Sequence, residues 1–360
     1  MPYYPETRVI KGLARIVRER RLLAHAAPRA MAIPSGMAIE AVQTVLQGDV
    51  LRDFRILDVA AYFKERDAER AARWIEVHEG DRITAGQTLA QKGKGRRART
   101  LNAPSSGVVA RIDGARLIVQ VADQSVELLA KIPGEMTIIE PHAVQVTGIG
   151  ALIQCMWGNG GYAYATIKPL PEDGYAALSK LDVRISEYRN VAVFGTEPLT
   201  KGDLLVAQQQ ALAGVIAPSM PSALREFAQE LPFPVLLTEG FGQSRPTELI
   251  YRLLQSNMGR QAALDAAIPD PWSPNRPEIM IPLPTGGALP STPSMHDPLA
   301  VGTRVRLTRA PWNGLTGEVV ELPAAPQLVE SGLRVPCARV RVGDDGQIAV
   351  VPLANLEMLG

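Results

Sequence analysis

From Asn190 onward, short apolar runs alternate with stretches of helical composition, and this alternation restricts the fold more than any other feature of the chain. Val191-Ala192-Val193-Phe194-Gly195 reads as a buried strand, Leu199 to Leu212 as a helix, Ala213-Gly214-Val215-Ile216-Ala217 as a second strand and Met220 to Leu231 as a second helix. Phe233-Pro234-Val235-Leu236-Leu237 supplies a third strand, Pro246 to Ala267 a long helix, and Glu278-Ile279-Met280-Ile281-Pro282 a fourth strand. Apolar strands joined by helices need crossover connections, and these build a parallel sheet with right-handed connections and helix-covered faces. Residues 189–283 are therefore predicted to form a small parallel, Rossmann-like α/β domain.

In an open parallel sheet, ligands bind beyond the carboxyl ends of the strands. Three such ends are legible: Gly195-Thr196-Glu197, Pro218-Ser219, and Thr238-Glu239-Gly240-Phe241-Gly242. Thr196, Glu197, Ser219, Thr238, Glu239, Gly240 and Gly242 are the candidate ligand-binding residues. If Glu197 and Glu239 share one edge, a close carboxylate pair can hold Mg²⁺ or split its pKa values for acid/base work. The plainer reading has each glutamate serving the N-terminus of the next helix. A magnesium-dependent TOPRIM-like nuclease would also need an Asp-x-Asp pair after a later strand, and none is present. His25, His78, His142 and His296 are isolated, which argues against zinc. No Gly-x-Ser-x-Gly elbow, Walker loop or dinucleotide fingerprint occurs. No catalytic residue, cofactor or metal is expected on these grounds.

A chain of 360 residues exceeds one ordinary core, so several domains are expected. The net charge of +1 argues against a dominant nucleic-acid or membrane field. Two cysteines far apart, Cys155 and Cys337, read as reduced thiols of a cytoplasmic protein. Residues 1–73 form a mixed segment. Its first 30 residues carry seven basic and two acidic side chains, an interaction arm or merely a solvated opening stretch. Gln47 to Leu51 reads as strand-turn-strand, and 58–73 as a short helix rich in Ala, Glu and Arg. Residues 131–188 read as a β-rich extension. Pro141 to Ile167 has the length of a membrane span, but Gly148, Gly150, Gly158, Gly160 and Gly161 break it and Gln145, Thr147, Gln154 and Asn159 stud it. Buried strands and turns fit better, with Gly158-Asn159-Gly160-Gly161 as a tight turn in a sheet and not a phosphate cradle.

Residues 74–130 are a β-rich module. Glu79-Gly80-Asp81 turns the chain, Gly86-Gln87-Thr88-Leu89-Ala90 opens the next strand, and Ala103-Pro104-Ser105-Ser106-Gly107-Val108-Val109 another. Asp113-Gly114 between two strand-like runs is a hairpin signal. The stretch resembles a biotinyl/lipoyl-type barrel-sandwich hybrid. That family swings a cofactor on a lysine at a hairpin tip, and an ungapped alignment from Gly86 to Ala103-Pro104 places the lysine position on Arg96. A guanidinium cannot be acylated as a lysine amine can, and the flanking methionines of the family are missing. No covalent biotin or lipoate is expected. The hairpin is nonetheless basic, with Lys92, Lys94, Arg96, Arg97 and Arg99.

Residues 269–298 hold nine prolines, and 284–298 read as a linker. Residues 299–360 are again β, with strands at Val301–Leu307, Ala338–Val342 and Ile348–Pro352, a turn through Trp312-Asn313-Gly314, and a second around Asp344-Asp345-Gly346. With Val305, Gly314, Gly317, Glu318, Val319 and Asn355-Leu356, this segment resembles a KOW motif in an SH3-like barrel. The resemblance implies contact with RNA or a protein, as in transcription-elongation factors and ribosomal proteins. Arg304, Arg306, Trp312, Arg339 and Arg341 are its candidate contact residues. Yet residues 301–360 hold six basic and six acidic side chains, without the basic footprint of a nucleic-acid module. As a whole, the order of parts is similar to that of an uncharacterised group of bacterial multidomain proteins, in which a barrel-sandwich region precedes an α/β domain with a Thr-Glu-Gly-Phe-Gly loop, here Thr238 to Gly242. That likeness carries architecture and no chemistry.

The sequence thus reads as multidomain, α/β plus all-β. The leading functional expectation is a non-enzymatic cytoplasmic adaptor that meets a protein or RNA partner through the KOW-like barrel and the basic hairpin. The alternative is a metal- or metabolite-binding enzyme that uses the Glu197/Glu239 edge. A third idea is a carrier-protein relic that docks to a biotinyl- or lipoyl-recognising surface.

Overall fold

In the computed structural model, residues 7–23, 26–28, 33–95, 98–269, 276–284, 289–293, 298–312, 314–343 and 346–359 are described. The protein is predominantly β, with a curled half-barrel sheet. Among the described residues no helix is long and apolar enough to cross a membrane.

The chain opens with β1 (Thr7–Arg8) and β2 (Ile10–Arg21), then β3 (Ala26–Pro28), β4 (Met37–Ile39) and β5 (Thr44–Asp58). Within the basic opening stretch residues 10–21 are not an arm: β2 pairs antiparallel with residues 143–153 along nearly its whole length, while Lys11, Arg15, Glu19 and Arg21 stay exposed. Gln47 to Leu51, expected to turn, lies inside the single long strand β5. Two helices follow, α1 (Val59–Phe63) and α2 (Ala68–Ala72). The Asp58 carboxylate accepts from the Ala61 amide and the Asp67 carboxylate from the Glu69 and Arg70 amides, satisfying N–H groups that the first turn leaves free.

Next come β6 (Arg82–Ile83), the hairpin of β7 (Thr88–Lys92) and β8 (Arg99–Asn102), and the hairpin of β9 (Gly107–Asp113) and β10 (Arg116–Leu129). Gly114 takes φ +55° between the last two, as the Asp-Gly signal requires. The five-stranded order β3-β5-β10-β9-β6 joins β5 to β10 from Asp58↔Arg116 to Thr44↔Leu129. Strands from both sides of residue 74 therefore share one sheet. Phe63, Leu89, Leu101, Val109, Leu117 and Val119 form its core.

The central sheet begins with β11 (Gly134–Glu140), β12 (Ala143–Gln154), β13 (Trp157–Gly158) and β14 (Tyr162–Pro169). It continues through α3 (Gly174–Leu178), β15 (Val191–Phe194), α4 (Lys201–Gln209), β16 (Gly214–Met220), α5 (Arg225–Gln229), β17 (Val235–Phe241), α6 (Glu248–Ser256), β18 (Gln261–Asp265) and β19 (Glu278–Pro282). The order β13-β17-β16-β15-β14-β18-β19-β12-β11-β4, with β2 also on β12, is mixed and not wholly parallel. β14, β15, β16 and β17 are parallel, but β18 and β19 run antiparallel to their neighbours. The long helix expected to Ala267 ends at Ser256. Gly259 takes φ +77° and the chain returns as β18, whose Ala262, Ala263 and Leu264 are buried. The glycine turn after β13 is a crossing held by the buried Asn159, with Gly160 exposed. The Asn159 amide donates to the Ala228 and Phe233 carbonyls, both at 2.9 Å, and its oxygen accepts from Gly161 at 3.2 Å and Val235 at 3.0 Å. A Cβ on Gly158 would lie 2.5 Å from the Ala266 backbone, so only glycine fits.

The last sheet contains β20 (Arg304–Leu307) and β21 (Thr316–Glu321). The short ribbon of β22 (Gln327–Leu328) and β23 (Arg334–Val335) leads to β24 (Cys337–Val342), β25 (Gln347–Pro352) and β26 (Leu356–Leu359). Val305, Val319, Val340, Val342 and Val351 are buried in its core. Its order is β1-β26-β20-β21-β24-β25, so a strand from the start of the chain lies parallel to the last one.

Candidate functional site

The candidate acid Glu239 lies at the carboxyl end of β17, where it meets three residues from the two ends of the chain. Its carboxylate contacts Arg306 of β20 and lies 3.8 Å from Arg8 of β1. Arg8 lies 3.4 Å from Glu357 of β26, and Arg306 lies 3.3 Å from the other oxygen of Glu357. Arg8 also donates to the Thr238 carbonyl. None of the four side chains is more than 6% exposed. Two guanidiniums and two carboxylates thus neutralise one another away from water, which is the condition for tolerating buried charge. Burial pushes the Glu239 carboxyl above its ordinary value. Arg8, Arg306 and the Thr247 amide pull it down, and Glu357 adds to the rise.

This geometry corrects the expected Glu197/Glu239 pair. Glu239 faces the buried cluster and accepts from the Thr247 amide at 3.1 Å, just before α6. Glu197 is exposed and pairs with Arg245 at 3.1 Å. One carboxylate is sealed among arginines and the other stands in solvent, so they do not form a metal-binding pair. Among the described residues no group of three or more His, Cys, Asp or Glu is placed to hold a metal ion. The other strand-end candidates are largely structural: the buried Ser219 hydroxyl donates to the Ser244 carbonyl at 2.8 Å, and Gly240 and Gly242 take φ +89° and +131°.

Thr196 and Glu197 do line a cavity of about 360 Å³ at the carboxyl ends of β14 and β15. Leu170, Tyr175, Phe194 and Tyr251 supply apolar wall, and Glu172 and Asp203 add carboxylates. Asp203 is already engaged, accepting from the Thr200 amide at 2.8 Å in the capping box of α4.

Among the described basic candidates Arg306 is buried and Lys92 half-buried, and Lys94, Arg99, Arg304, Arg339 and Arg341 are exposed. Lys92 lies 3.4 Å from Glu65 and 4.4 Å above the Trp74 ring, and Arg99 sits 5.7 Å from the Phe63 ring. Lys94 is exposed. Arg96 and Arg97, including the position aligned with the carrier lysine, lie outside the described residues, as do Asn313, Asp344 and Asp345. On the C-terminal sheet, Arg339 pairs with Glu321 at 2.9 Å and Arg341 with Glu318 at 3.9 Å. Arg304 is exposed opposite Glu318 in the ladder. Arg306, expected on a contact face, is buried in the ion cluster, and Trp312 packs half-buried against the sheet's core instead of standing free to stack. The sequence reading missed Arg8 and Glu357 altogether.

Both cysteines are free thiols and both are buried. Cys155 is buried, and burial first, then Glu239 and Glu278, push its thiol far up against the opposing pull of Arg8. Iodoacetamide at pH 8 is expected to leave Cys155 unlabelled in the native protein and to label it after urea unfolding, as read by peptide mass spectrometry. No protein-family model matches the chain, and no curated protein matches it.

Proposed function

We propose that the protein is a non-enzymatic adaptor that works in the cytoplasm and joins a barrel-sandwich-like module, a Rossmann-like half-sheet and an SH3-like, KOW-type barrel into one presenting surface. The observation that carries this reading is the Arg8–Glu239–Arg306–Glu357 cluster. It takes the glutamate that an enzymatic edge would need and uses it to tie the first strand, the central sheet and the last sheet together. A protein partner is favoured over RNA. The exposed arginines Arg339 and Arg341 each face a glutamate, which leaves little field for phosphate. Ile348 and Val350, by contrast, are exposed on β25, a strand at the edge of its sheet. An edge strand with outward aliphatic side chains suits strand addition by a partner.

The test is affinity capture with the full chain as bait, comparing wild type with the Ile348→Asp/Val350→Asp pair. A partner retained after nuclease treatment and lost from the paired variant is expected. RNA-dependent capture, or no macromolecular partner at low salt, would overturn the reading. The cavity beside Thr196 and Glu197 favours a second reading, metabolite binding without Glu239. A rise in melting temperature with Mg²⁺ or nucleotides that Thr196→Val abolishes would support it, and no shift with any of them would dismiss it.

A further inference from the structure

The second strand carries an irregular inward row. Alternate residues of a strand share a face, and Ala14, Ile16 and Leu22 of this row are buried in the apolar interior of the curled sheet. Arg18 and Arg20 interrupt them. Both line the mouth of a cavity of about 580 Å³, together with Glu19, Arg21, Lys131, Asp265, Arg276 and Glu278. Two guanidiniums in an otherwise aliphatic row need a reason, because each loses hydration there.

Arg18 has its reason within the protein. Its Nε lies 2.7 Å from one oxygen of Glu278 and its Nη2 bonds the other, a fork that fixes the side chain as wall. Lys131 is likewise answered by Asp265 at 2.7 Å, and Arg21 by Glu19 at 2.6 Å and Glu140 at 3.0 Å. Arg20 differs. Its Nε donates to the Ala130 carbonyl at 3.0 Å, and among the described residues no carboxylate lies within salt-bridge distance of it. Burial lowers its pKa, an effect that the more distant Asp265 and Glu278 only partly oppose. Arg276 on the same wall is engaged elsewhere, so the charge that the wall leaves for a ligand is that of Arg20.

We infer that this mouth is a binding site for a small organic anion, whose carboxylate or phosphate group meets the terminal nitrogens of Arg20. Arg18 and Lys131, held by Glu278 and Asp265, shape the site without supplying its net charge. A cavity of this size exceeds a bare inorganic ion, so the anionic group belongs to a larger body. The inference is independent of the adaptor reading, since none of these residues belongs to β25 or to the buried ion cluster.

The test uses the full chain in an oxyanion-free buffer with ionic strength held constant by chloride. Citrate is the carboxylate probe, and inorganic phosphate and a sugar phosphate are the phosphate probes. Calorimetric titration of wild type is expected to show saturable binding of one class, and that class names the ligand. Arg20→Gln is expected to weaken it about tenfold or more, Arg20→Lys to retain part of it, and Lys94→Gln to leave it unchanged. A second measurement needs no variant. The saturating probe should protect Arg20, and not the exposed Arg245, from phenylglyoxal as mapped by mass spectrometry. Absence of binding by all three probes, wild-type affinity in a folded Arg20→Gln protein, or equal labelling of Arg20 with and without saturating probe would each overturn the inference.

Discussion

Replacing Arg306 with methionine is expected to lower the stability of the protein by about 3–5 kcal/mol, the cost of removing one member of a buried ion pair. The loss does not come from the arginine's own packing. It comes from Glu239 and Glu357, which stay buried with Arg8 as their sole remaining guanidinium in the cluster. The variant should also acquire a pH dependence of definite sign. Burial already pushes Glu239 up, and without Arg306 one of the two guanidiniums opposing that push is gone. A carboxyl whose folded pKa lies above its unfolded value favours folding while it is protonated. That contribution is lost as pH rises from the unfolded value through the folded one. The deficit of the variant should therefore be smallest at acidic pH and largest near neutrality. Urea titrations at several pH values measure it, and adding Glu239→Gln to Arg306→Met should recover part of the loss by removing the stranded charge. A deficit below about 1 kcal/mol, the range of surface ion pairs, would mean that the cluster is solvated.

The second large effect belongs to Asn159. Its amide meets four backbone groups at once, two carbonyls and two N–H groups, and the residue is only 5% exposed. Asn159→Ala removes all four partners from groups that water cannot easily reach, and each unsatisfied group costs about 1–3 kcal/mol where the site cannot relax. A loss of about 3–5 kcal/mol is expected, with local opening of the crossing offsetting the remainder. Asn159→Asp should fare no better, because a carboxylate can accept from Gly161 and Val235 but cannot donate to Ala228 and Phe233. Loss of amide protection at Gly161 and Val235 in hydrogen exchange would locate the damage at this crossing.

What the sequence makes legible here is local. The hairpin at Asp113-Gly114 and the strand-helix-strand run from Val191 to Leu237 depend on neighbours in the chain, and their period and turn residues show it. Thr196 and Glu197 are legible because a parallel strand ends beside them. Elements whose identity depends on distant partners were hidden. Gln261-Ala262-Ala263-Leu264-Asp265 has helical composition, yet β14 and β19 flank it and make it a strand. The basic opening segment reads as an arm or a solvated stretch because its charges mask the inward row of Ala14 and Ile16. Glu239 reads from its neighbours as a ligand carboxylate or as a partner for the next helix's N-terminus, and the Thr247 amide supports the second, but both guanidiniums that answer it lie far off in the chain, at Arg8 and Arg306. No spacing rule links residues brought together only by two separate sheets.

The pairing of Thr7–Arg8 with Met358–Leu359 has a bearing on how the molecule is made. During synthesis the first strand is made long before its neighbour exists, so the C-terminal sheet and the charges behind it stay incomplete until residues 356–359 have been added. A nascent chain stalled short of Leu356 would carry Arg8, Arg306 and Glu239 without Glu357, two guanidiniums against one carboxylate.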